Sequence, residues 1–170
     1  VNGFHLVAHA FGKPGDGVFM QTPVYHPFFE VAKNTGMIQQ EMELTLLDDG
    51  SYGVDFDAFE ASLDNASRLF LLCNPHNPVG RVFRKDELER MAEICLRRDM
   101  FICSDEIHGD LIFNGQPHIP TASLSPEIAR RTITLLAPSK TFNIAGLNSS
   151  VAIIQDKDMR AQMETARKGL

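Results

Sequence analysis

The sequence predicts an α/β domain of three layers, a mainly parallel sheet covered by helices on both faces. Two observations predict it. Short apolar runs recur along the chain (GVFMQ, RLFLLC, MFICS, TITLLA, SVAII), and most are continuous rather than alternating, as in strands buried on both faces. Amphipathic stretches at helical spacing lie between them, and regular strand–helix alternation builds parallel sheets.

Taken in order, Phe4–Phe11 reads as a helix already under way at the chain start. Gly17–Gln21 is the first strand and Pro27–Thr35 the next helix. Gln39–Thr45 (QQEMELT) alternates more than the other runs, which places it near a sheet edge. Asp55–Leu63 is a helix and Arg68–Cys73 a strand. Asp86–Arg98 is the clearest helix: Asp86 can cap it, Glu89 stands three residues on, and Leu88, Met91, Ala92, Cys95 and Leu96 repeat at helical spacing. Met100–Ser104, Thr132–Ala137 and Ser150–Ile154 complete the strands, and Lys157–Lys168 is the last helix. No repeat or low-complexity linker interrupts the 170 residues, a length that suits one domain with a real core. Because the chain opens inside one helix and stops on another (ETARKGL), it is expected to be part of a longer protein.

Composition narrows the function. A net charge of −6 argues against non-specific binding to nucleic acid or to an anionic membrane. No apolar stretch approaches the roughly 20 residues that span a bilayer, and the opening VNGFHLVAHAF shows no signal-peptide pattern. The three cysteines (Cys73, Cys95, Cys103) have no CxxC spacing, and an odd count without a framework suits a reducing, cytoplasmic setting. The six histidines show no paired metal spacing, so no metal site is expected.

In open α/β sheets, ligands bind beyond the carboxyl ends of the strands. GVFMQ is followed by TPVYHPFF, which carries Tyr25. RLFLLC is followed by NPHNPVGR, with Asn74, His76 and Asn77. After MFICS come Asp105, Glu106 and His108; after TITLLA come Ser139 and Lys140. Each residue alone has a plainer role: Tyr25 can plug a loop, the Asn side chains can satisfy turns, Asp105 can cap and Lys140 can sit in solvent. An aromatic, an amide, an acid and an amine at one sheet edge are harder to obtain from plain causes. They have a shared chemical reading. A lysine amine can form a Schiff base with a carbonyl cofactor, and pyridoxal phosphate needs an acid beside its ring nitrogen. An aromatic can stack on the ring, an Asn amide can donate to its oxygen, and a Ser hydroxyl can hold phosphate.

In order and spacing, TPVYHPF, NPHNPVGRVF, SDEIHGDLIF and APSKTFNIAGL resemble class I/II aminotransferase-fold enzymes, most closely their carbon–sulfur lyase branch of the cystathionine β-lyase type. The resemblance covers essentially the whole chain. It implies residues 1–170 of a fold-type I large domain that binds pyridoxal 5′-phosphate, truncated at both ends and without its small domain. It further implies that Lys140 carries the cofactor and moves the Cα proton, and that Asp105 pairs with the pyridine nitrogen. Tyr25 would stack on the ring, Asn77 and His108 would address its phenolic oxygen, and Ser139 its phosphate. Asn2 falls where the family's phosphate loop ends. His108 stands where many aminotransferases have Tyr, which suits the lyase branch. Two departures point the same way: Asn148 replaces the usual phosphate-binding Arg, and Ala137 a common Ser. Asn148 is kept as a candidate phosphate ligand.

The resemblance implies β-elimination from L-cystathionine or another cysteine S-conjugate, giving pyruvate, ammonia and a thiol, in a homodimer acting on a small amino-acid substrate. An aminotransferase is the nearest alternative, since it uses the same lysine, acid and aromatic. A non-catalytic, cofactor-sensing module of a transcription regulator is the second. A dinucleotide-binding domain is disfavoured because no GxGxxG follows a strand. Glu106 and Asp110 are expected to be structural, as a helix start and a solvated loop, and QPHIP around His118 as a structural turn near the pocket. Alone, the 170-residue chain is expected to be marginally stable.

Overall fold

A computed structural model describes residues 1–168 other than 114 and 116. Six strands form the central sheet: β1 (Gly17–Thr22), β2 (Ile38–Glu43), β5 (Ser67–Cys73), β6 (Phe101–Asp105), β7 (Thr132–Leu136) and β8 (Val151–Ile154). Their order is β2-β1-β5-β6-β7-β8. All neighbours pair parallel except β7 and β8, which are antiparallel. A small antiparallel ribbon, β3 (Thr45–Leu46) with β4 (Tyr52–Gly53), stands apart.

The helices are α1 (Asn2–Phe11), α2 (Pro27–Thr35), α3 (Phe56–Ala61), α4 (Lys85–Arg97), α5 (Pro126–Ala129) and α6 (Lys157–Arg167). Alternate side chains of each central strand enter opposite cores. Val18, Met20, Leu69 and Leu71 pack with Phe4, Phe28, Val31 and Met163 from α1, α2 and α6. Phe19, Phe70, Leu72 and Ile102 pack with Phe59, Leu88, Met91 and Cys95 from α3 and α4. A strand that must satisfy two cores is apolar at every position, which is why these runs read as continuous.

The direction of travel explains which helix covers which face. The chain steps from β1 outward to β2 through α2, then returns past β1 to β5 and continues through α4 to β6. Right-handed crossovers in opposite directions lay their helices on opposite faces. The reversal places a switch point between β1 and β5, the place where ligands bind in such sheets.

Sequence and structure differ at the edges. Gln39–Thr45 does lie at an edge, as β2, where only Met42 is buried. The run SVAII is also an edge strand, with Val151 and Ile153 exposed, so its apolar continuity reflects an uncovered face rather than burial on both sides. Asp55 lies just outside α3 and caps it, accepting from the Asp57 and Ala58 amides. Helix α4 starts one residue before the predicted Asp86, and the cap is Glu87, whose carboxylate accepts from the Arg84 amide at 2.9 Å. The ribbon and α5 are too short to show a period in sequence.

Glu87 also holds the loop that follows β5. Arg81 donates to Glu87 Oε2 at 2.5 Å and to the Tyr52 carbonyl, and its backbone carbonyl accepts from the His76 amide at 2.8 Å. Asn74 Oδ1 accepts from the Phe83 amide at 3.1 Å. This pairing is almost dry, with Glu87 4% and Arg81 15% exposed. Glu87→Ala therefore leaves a guanidinium without its partner and uncaps α4. Urea unfolding is expected to show a loss of about 3–5 kcal/mol, whereas Asp86→Ala, at an exposed position, should cost well under about 1 kcal/mol.

Candidate active site

Four sequence-predicted residues stand at or just beyond the carboxyl ends of adjacent parallel strands. Tyr25 follows β1, Asn77 follows β5, Asp105 ends β6, and Lys140 follows β7. Register brings the last of these close: Cys73 pairs with Asp105, and Asp105 with Leu135. Gly3, at the start of α1, abuts Leu135 so tightly that an added Cβ would lie 3.0 Å from Leu135 Cδ1. Asn2 and the first turn of α1 thus rest beside Asp105 and the strand leading to Ser139 and Lys140. Among the described residues no side chain caps that turn; the Phe4 N–H goes to the Val1 carbonyl, and the helix presents its positive dipole end there.

Asp105 is the electrostatic centre. It is 8% exposed, and its carboxylate accepts from the Ile107 amide at 3.2 Å. Burial pushes its pKa up, from 3.8 to about 6, although the Ile107 amide and the positive charge of the chain's amino terminus both pull it down. The neighbouring Cys73 thiol is pushed up to about 12, by burial and then by the Asp105 charge, so it stays protonated.

His108 joins three loops. Burial lowers its pKa, the nearby Lys140 charge pushes it the same way, and the Pro75 carbonyl opposes both. These influences place His108 between the loops that follow β5 and β7. Asn77 and His108 together line a cavity of about 530 Å³, walled on its apolar side by Leu111 and Phe113. The Asn77 backbone N–H donates to Cys73 Sγ at 3.4 Å, which ties the loop to the strand end.

The other candidates are less enclosed. Tyr25 is exposed, with its ring edge-on to His26, 5.1 Å between centroids. Ser139 is half-buried and Lys140 exposed, in a turn closed by Phe142 N–H to Pro138 O and Ile144 N–H to Ser139 O. Asn148 lies on an exposed segment, left-handed at φ 49°, with its side chain directed at the Gly146 carbonyl. Asn74 is fully buried and serves the loop through Phe83. Among the described residues, no group of three or more His, Cys, Asp or Glu could hold a metal ion, and no helix is long and apolar enough to cross a membrane.

Glu106 corrects the sequence expectation. No helix starts there; the side chain is structural, as expected, but as a buried carboxylate, 2% exposed. Strand alternation turns Asp105 toward the face of α1 and sends Ser104 and Glu106 to the other face. There Glu106 accepts from Ser104 Oγ at 2.8 Å, from the Thr121 amide at 3.0 Å and from His118 Nε2 at 2.8 Å. His118 is structural as expected; Gln116 of the QPHIP segment lies outside the described residues. Asp110 is exposed, but it is bonded to Thr141, the residue after Lys140. Sequence offered no signal for these contacts, because partners twelve to thirty-one residues apart meet only through the fold.

Residues 2–170 match the sequence profile of aminotransferase class I and II. The chain belongs to that family. Among its relatives, "Cystathionine beta-lyase PatB" of Bacillus subtilis is 43% identical over 174 residues, covering 100% of this chain and 44% of the relative. Among solved structures, cystalysin from Treponema denticola, which contains a pyridoxal 5′-phosphate cofactor, matches with a TM-score of 0.93 at 45% identity, over 98% of this chain and 42% of that one. A PLP-bound putative aminotransferase from Clostridium difficile matches with a TM-score of 0.94 at 42% identity, over 99% of this chain and 44% of that one. The chain thus spans less than half the length of these class I and II members.

The raised Asp105 pKa has a stability consequence. The unfolded carboxyl ionises near pH 3.8 and the folded one near 6, so the folded state binds more protons in between and loses stability as pH rises through that window. Asp105→Asn removes the charge. It is expected to melt like the parent at about pH 4 and to gain up to about 3 kcal/mol at about pH 7.5 in cofactor-free protein, read from urea unfolding at the two pH values.

Proposed function

We propose that the full-length protein is a pyridoxal-phosphate-dependent carbon–sulfur β-lyase, which cleaves L-cystathionine or a related cysteine S-conjugate to pyruvate, ammonia and a thiol. In this reading the chain is the cofactor-binding large domain, and a small domain lies outside it. The observation that carries it is the buried Asp105 carboxylate, held at a raised pKa at the sheet edge from which the loops bearing Asn77, His108 and Lys140 also emerge.

The residues fit the cofactor. A carboxylate that burial holds at a raised pKa is suited to a protonated pyridine nitrogen, which would restore its ionised form. The uncapped first turn of α1, with Asn2, and Ser139 can receive the phosphate, with Asn148 as a further ligand. Bound pyridoxal phosphate supplies an electron sink for the charge that develops when the substrate's Cα proton leaves.

The chain's own groups do the rest. Lys140 carries the cofactor, then takes the Cα proton, a task that needs a neutral amine close to the reacting carbon. His108, its pKa lowered, stays uncharged beside the lysine and adds no competing proton. Asn77 donates to the phenolic oxygen and the Tyr25 ring covers one cofactor face, so the Cα–H bond is held in line for removal. The thiolate then departs from Cβ.

A second reading, an aminotransferase, is favoured by the fold match to the Clostridium difficile protein. Asn148 in place of the usual Arg and Ala137 in place of Ser weigh toward the lyase. We further propose a homodimer, because Phe142 and Leu147 beside the lysine turn are 67% and 71% exposed. A cytoplasmic location suits three cysteines that are all free and buried.

Full-length protein with pyridoxal phosphate is expected to show a visible band that borohydride traps on Lys140. Lys140→Ala should lose the band and at least about a hundredfold of activity. Pyruvate and thiol released from cystathionine without an added keto acid support the lyase; product that appears only with a keto acid supports the aminotransferase. An adduct mapped to another residue overturns both.

A further inference from the structure

The segment that leaves β6 carries His108 and the Leu111–Phe113 wall, and it returns to the short 3₁₀ turn Thr121–Ser123. Its base is fixed. The Glu106 carboxylate is 2% exposed and takes hydrogen bonds from Ser104 Oγ, the Thr121 amide and His118 Nε2. Gly109 then passes so close to His118 that an added Cβ would lie 2.9 Å from its Cδ2. A turn packed that tightly against an anchored ring has little room to shift.

From this fixed turn one side chain reaches the neighbouring loop. Asp110 Oδ2 accepts from Thr141 Oγ1 at 2.9 Å. A hydroxyl bonded to a carboxylate is among the stronger hydrogen bonds. Thr141 directly follows Lys140, and among the described residues the turn around them is otherwise closed on itself, by the Phe142 and Ile144 amides. The Asp110–Thr141 bond therefore links the lysine turn to a rigid support, two residues beyond His108.

We propose that Asp110 is a positioning residue: through Thr141 it fixes the Lys140 amine relative to His108 and Asp105. This rests on the reading of Lys140 as the cofactor-bearing lysine. Without the bond the lysine turn keeps its own backbone closure but can rotate against the β6 loop. Lys140 would then meet the cofactor less often in a productive orientation, and substrate binding would change little.

The test uses the full-length protein loaded with pyridoxal phosphate, with Asp110→Ala, Thr141→Val and Thr141→Ser. In Asp110→Ala and Thr141→Val, the visible band is expected to form about tenfold more slowly on adding cofactor to the cofactor-free protein. In both, kcat should fall about tenfold with KM within about twofold. Combining the two substitutions should cost no more than either alone, because both remove the same bond. Thr141→Ser, which keeps the hydroxyl, should behave as the parent. Parental band formation and kcat in Asp110→Ala, or a loss that Thr141→Ser shares, overturns the proposal. If borohydride does not trap the cofactor on Lys140 in the parent, the functional reading falls and takes this inference with it. Trapping there, with parental behaviour of Asp110→Ala, overturns this inference alone.

Discussion

The parallel pairing of β1, β5, β6 and β7 is the constraint on which the rest depends. Strands that run the same way deliver their following loops to the same edge, so Tyr25, Asn77, Asp105 and Lys140 come to one sheet edge although they are far apart in sequence. Parallel pairing in turn requires a crossover between successive strands, and each crossover covers one face with a helix. Burial on both faces then demands apolar residues at every inward position. The continuous runs, the flanking amphipathic helices and the clustered polar residues at strand ends are three consequences of one geometry.

That geometry also sets the electrostatics. The last residues of a central strand stay buried even where the polar loops begin, and β6 ends there in the sequence Ser-Asp-Glu. The two acids have opposite environments one residue apart. Glu106 is surrounded by donors from Ser104, His118 and Thr121, which compensate a buried carboxylate. Asp105 has the Ile107 amide at its oxygen, and burial holds its pKa up. Carboxyls perturbed in this way cluster at functional sites.

The position of each candidate at a strand end was legible from residue type and order. Tyr25, Asn77, Asp105, His108 and Lys140 are candidate side chains that come soon after each apolar run, and the fold places all five at or beyond strand ends. Asn74 shows the limit of that method: it stands in the same loop as Asn77, yet it is buried and serves Phe83. Glu106 and Asp110 show it again. They read as a helix start and a solvated loop, and their partners His118 and Thr141 are adjacent only in space. Helix α4 was visible in its period but not in its cap, because Glu87 was chosen over Asp86 by the Arg81 guanidinium, which arrives from a different loop.

The sequence by itself determined the fold class, the strands and most helices, because apolar periodicity is a local property that each segment carries regardless of its neighbours. It also determined which chemical groups would gather at the sheet edge, since parallel order makes strand ends predictable. Tertiary structure decided the rest. The antiparallel edge of β8 and the coverage of its faces depend on what packs there, and the run SVAII alone does not show it. The raised pKa of Asp105, the satisfied burial of Glu106 and the bond from Asp110 to Thr141 all depend on distances between residues remote in sequence. Hydrogen bonds and desolvation act over a few ångströms, and only the folded chain sets those distances.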